Sequence, residues 1–149
     1  MDFMRKASKD DAEVLLMMME LFRDPRSDEA MRWFMRDFNV TDYNEFKAKY
    51  PPGSDEYSHV GRLLGQFETA GVLVSHGLLN ENLYFDMSGV GFVWPKLEKI
   101  VLGMQKEMGP ALWENAMWLA ERQKRWAKDV WKPGLSWKPD RPGAPRKAR

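Results

Sequence analysis

Cysteine is absent from the 149-residue chain, and histidine occurs only at His59 and His76. The first absence excludes disulfides, thiolate nucleophiles, thiolate-held zinc and iron–sulfur clusters together. The second leaves no HxxxH pair, because the two imidazoles lie seventeen residues apart, and no cofactor is expected. Long apolar runs are missing too. The longest is VLLMMMELF at 14–22, nine residues interrupted by Glu20, whereas a bilayer helix needs about 20. The opening MDFMRKASKDDAE lacks the apolar core of a secretion signal, so a cytoplasmic protein without a membrane span is expected. No GxGxxG, GxxxxGK[ST] or GxSxG occurs, which leaves phosphate-cradling loops and a nucleophile elbow without textual support.

What is present is ordinary soluble composition, 44% hydrophobic and 30% charged, in a length that suits one domain. The overall charge of +1 conceals an asymmetry, for residues 128–149 carry +5 and leave −4 on residues 1–127. The expected organisation is therefore a single mildly acidic domain over 1–127 followed by a basic tail.

Helical periodicity dominates the first part. Ser8 and Asp11 have capping-box spacing, which predicts a helix from there to about Phe22. Asp24 or Ser27 can cap the next, whose Met31, Phe34, Met35 and Phe38 should form a buried stripe. A short helix follows with Tyr43, Phe46 and Tyr50 on one face, ended by PPGS. From Asp55, the residues Tyr57, Val60, Leu64, Phe67, Gly71 and Val74 alternate three and four apart, with Leu63 and Ala70 widening the stripe. Gly61, Gly65 and Gly71 inside that helix each cost about 1 kcal/mol relative to alanine, which suggests either a close neighbour or local irregularity. A helix over about 92–108 should turn Leu97, Ile100, Val101, Met104 and Met108 inward, and a last one should begin at Pro110 and use Leu112, Trp113, Ala116, Met117 and Leu119. No segment alternates as a half-exposed strand would. The predicted fold is all-α, an irregular bundle of six or seven helices with a basic C-terminal tail containing proline and tryptophan.

The stretch GLLNENLYFDMSG, 77–89, contains ENLYF, most of a protease recognition sequence used to remove purification tags. Asp86 stands where that protease requires glutamine, and the segment suits its neighbours: Gly77 can stop one helix and Asn80 can cap the next. Leu79 and Tyr84 are placed as a hydrophobic staple, with Leu83 and Met87 continuing inward. The segment is native. Together, FETAGVLVSHGLLNENLYFDMSG and the following WPKLEKIV resemble a family of small all-helical bacterial proteins catalogued only as a domain of unknown function. The likeness runs over about 21–123 and implies a helical fold without an associated activity. Members of that family often carry a membrane segment ahead of this domain; with none in this sequence, no membrane role is expected.

Candidate chemistry is sparse. His59 lies off the apolar stripe and His76 falls in a last helical turn, so both read better as structural or surface residues. Glu68 and Asp86 flank the turn at Gly77 and could meet in a pocket as a general acid and base for a hydrolase. A solvent-facing Glu68 and a capping or paired Asp86 is the simpler expectation. Eleven methionines at helical spacing are mostly core, yet Met17, Met18 and Met19 cannot all point inward, so one should be exposed or meet another chain.

Trp131, Lys132, Trp137 and Lys138 join stacking surface to cations, and Arg141, Arg146, Lys147 and Arg149 add attraction for phosphate, which suits single-stranded nucleic acid. The competing reading folds the tryptophans back onto the bundle. The leading expectation is a noncatalytic domain acting through protein contacts, with another protein or a second copy. Nucleic-acid binding through the tail is the alternative, and a carboxylate enzyme comes third.

Overall fold

The computed structural model describes residues 5–130. They form seven helices and no strand: α1 (Lys9–Leu21), α2 (Pro25–Arg36), α3 (Tyr43–Lys49), α4 (Asp55–Ser75), α5 (Glu81–Met87), α6 (Trp94–Met108) and α7 (Glu114–Asp129). None is long and apolar enough to cross a membrane. The tail residues Trp131, Lys132, Trp137, Lys138, Arg141, Arg146, Lys147 and Arg149 lie outside the described residues.

Local chemistry starts most of these helices. The Ser8 hydroxyl accepts the Asp11 amide while the Asp11 carboxylate accepts the Ser8 amide, a complete capping box. Asp24, rather than Ser27, caps α2, and Pro25 fills its first turn. Asp42, Ser54 and Asn80 cap α3, α4 and α5 through their side-chain oxygens. Gly77, at φ +71°, ends the α4 turn in the left-handed region that glycine enters without penalty.

α4 is the central element, packing against α2 on one side and α7 on the other, while α3 packs on α6 and α1 sits chiefly on α5. Its stripe is buried as expected, with Val60, Leu63, Leu64, Phe67, Ala70, Gly71 and Val74 inside. Gly71 explains the close approach to α7. A Cβ there would stand 2.3 Å from the Asn115 carbonyl oxygen, so only glycine lets the helices meet at this point. Gly61 and Gly65 have open space around them instead.

Four expectations are corrected. Met35, Met87 and Met108 are exposed, and Ala30, Phe85 and Met104 take the neighbouring inward positions. All three methionines lie toward the ends or flanks of their helices, where a stripe does not say which side a neighbour covers. The last helix begins at Glu114, four residues later than Pro110, because residues 110–113 form a turn that ends in a left-handed Trp113, φ 58°.

Candidate functional site

The proposed carboxylate pair separates into two unrelated roles. Glu68 is half-buried and bonded across the helix pair: its Oε1 accepts from the Asn115 side-chain amide at 2.8 Å and its Oε2 accepts the Ala116 backbone N–H at 2.9 Å. Trp113 supplies no side-chain cap to α7, so Glu68, reaching across from α4, satisfies one of the open N–H groups there, that of Ala116, and sets a negative charge on the positive end of the helix. Asp86 is exposed on α5 and has an interaction of its own. Neither residue lines the cleft between α2 and α4 described below.

The histidines also part. His76 is the exposed C-cap of α4, whereas His59 is half-buried with its ring 5.4 Å from that of Trp33. Among the described residues, no three His, Asp or Glu side chains converge as metal ligands would.

α1 carries the most unusual surface. Only Asp11, Leu15 and Met18 are buried along it, although its sequence from 14 to 19 is unbroken apolar. Of the three successive methionines, Met17 is the outward one at 71% exposure. Val14, Met17 and Leu21 recur at spacings of three and four, forming a ridge on the outer side in which Leu21 is 69% exposed. Glu13 and Glu20 run along one flank of that ridge, and Leu16 lies beyond them. The base of the helix is fixed. Arg5 forks onto Asp11, donating to Oδ2 at 2.9 Å, and Asn80 Nδ2 donates to the Arg5 carbonyl at 2.8 Å. The Arg5 guanidinium and the Ser8 hydrogen bonds, acting against burial, hold the Asp11 carboxyl well below the usual carboxylate range.

A second feature is a cleft of about 760 Å³ where α2 and the first half of α4 meet. Ser27 accepts from Gln66 at 2.9 Å and Trp33 packs on His59, so the two helices run in opposite directions along it. Arg26 and Arg62 line the part nearest Gln66, together with Phe22; Asp55 and Ser58 line the far part. Arg62 approaches Asp24 at 3.7 Å. Among the described residues, the side chains of Arg26, Glu29 and Asp55 form no ion pair or hydrogen bond. Sequence reading missed this cleft, because its lining comes from the polar faces of two helices that periodicity treats as solvent-facing.

Over the described residues, helix packing thus defines an all-helical fold built around α4. The chain belongs to the DUF4760 family, a domain of unknown function, which matches residues 9–126. No curated protein and no solved structure matches it.

Proposed function

We propose that this is a noncatalytic cytoplasmic domain that works by protein contact, seating a basic amphipathic helix of a partner on the outer ridge of α1. The observation that carries the reading is the exposure of Met17 and Leu21 beside half-buried Val14, at the three- and four-residue spacing that a packed helix pair uses. Burying each exposed side chain would contribute about 1.5–3 kcal/mol, and methionine adapts to irregular partners. Glu13 and Glu20 occupy the flank that pairs with charges across such a seam. Their sign selects a partner rich in lysine or arginine.

A photo-crosslinker placed at Met17 in the native cell tests this. The expected product is a discrete adduct with another polypeptide whose linked peptide is basic and apolar at helical spacing, absent when the same group replaces exposed Ala48. An adduct of twice the chain mass would overturn the reading in favour of self-pairing, and equal labelling at both positions would overturn the ridge as a contact.

A second reading rests on the +5 charge of residues 128–149, which also hold Trp131 and Trp137. It assigns weak, sequence-independent binding of single-stranded nucleic acid to Lys132, Lys138, Arg141, Arg146, Lys147 and Arg149 with the two tryptophans. Fluorescence anisotropy with an oligothymidine should give affinity that falls steeply with salt and is lost when Lys132, Lys138, Arg141 and Arg146 are replaced by glutamine. Unchanged binding in that variant would exclude it.

A further inference from the structure

The cleft between α2 and α4 carries guanidiniums at one end, where Glu29 lies one turn from Arg26 and Asp24 approaches Arg62 at 3.7 Å, and a lone carboxylate at the other. Arg26 and Arg62 stand at the end marked by Gln66, and Asp55 stands at the other end. Asp55 and Arg62 are seven residues apart on one straight helix, a rise of about 10 Å. Three extended residues of peptide span about the same length.

We propose that this cleft binds a short free peptide of about three residues in its zwitterionic form. The terminal carboxylate lies at Arg26 and Arg62, where a planar guanidinium makes paired hydrogen bonds to it. The terminal ammonium lies at Asp55. Glu29, one turn from Arg26, and Ser58, one turn from Asp55, provide oxygens for the peptide N–H groups. Gly65 forms part of the wall, and the open space around it leaves room for backbone to pass close to α4. Arg26, Glu29 and Asp55 are unpaired among the described residues, whereas Arg62 already approaches Asp24 at 3.7 Å, so Arg26 is the guanidinium free to take the carboxylate. Recognition of both termini at once makes length the selective variable.

Calorimetric titration of the full chain with Ala-Ala-Ala, its N-acetyl form, its C-terminal amide and the doubly blocked form tests the assignment. The free tripeptide should bind, and blocking either end should weaken it by about tenfold or more, since each block removes a charged contact. Arg26→Gln should weaken the free tripeptide but leave the amide unaffected, and Asp55→Asn should weaken the free tripeptide but leave the N-acetyl form unaffected. Both side chains are exposed, and circular dichroism checks that the variants fold. Equal affinity for the doubly blocked peptide would overturn the proposal. So would no heat at millimolar tripeptide, or affinity unchanged in Arg26→Gln.

Discussion

Glu68 on α4 accepts the backbone N–H of Ala116 on α7, joining the two best-packed helices through a bond that spans 48 residues of sequence. The same carboxylate holds Asn115, so it replaces the cap that Trp113 does not provide. Glu68→Ala should therefore destabilise the fold by about 1–2 kcal/mol in denaturant unfolding. Glu68→Gln, which keeps an acceptor oxygen, should cost less. Equal losses would show that charge rather than hydrogen bonding does the capping.

Glycines within α4 should respond to alanine with opposite signs. Gly71→Ala places a Cβ against the Asn115 carbonyl and should cost about 1–3 kcal/mol as the helices are forced apart. Gly61→Ala meets nothing within 4 Å and should gain about 0.5–1 kcal/mol from helix propensity. Thermal melts of the two variants check the pair.

Acid should loosen α1 through Asp11. Its carboxyl is depressed in the folded state, so its contribution is complete above the unfolded value of about 3.9 and is lost as pH falls through the lower folded value. Asp11→Asn should cost about 1–3 kcal/mol at neutral pH and should flatten the decline of stability with acid below about pH 4. Urea midpoints measured from pH 6 downward would show whether the two curves converge.

Gln123 should govern the loop ahead of α6. Its Oε1 accepts the Val90 and Gly91 amides at 2.7 and 2.9 Å, and a Cβ on Gly89 would collide with the same side chain. Gln123→Ala should speed hydrogen exchange at Val90 and Gly91 selectively, with a stability loss of about 1–2 kcal/mol.

Signals confined to a few neighbouring residues were readable before any coordinates. Ser8 with Asp11, Asp24, Gly77 and Asn80 act where their spacing places them, and the α4 stripe is buried because 3.6-residue periodicity alone determines which residues share a face. That one of Met17, Met18 and Met19 must face outward was also legible, since three adjacent side chains on a helix point in three directions, but not that it would be Met17. Glu68 was not, because nothing near it in the chain announces an uncapped helix 47 residues away. The late start of α7 escaped for a related reason: a tryptophan gives no warning that it will adopt a left-handed backbone. Exposure of Met35, Met87 and Met108 depends on which flank a neighbour covers, information that periodicity does not contain.

Because α1 rests chiefly on α5, with Arg5 and Asn80 as its clasp, it can peel away while α2, α4 and α7 stay together. The first segment to come loose is then the one that carries the greasiest outer ridge. Limited digestion should nick the linker at 22–24 well before the remainder melts, and anything bound along α1 should protect that bond.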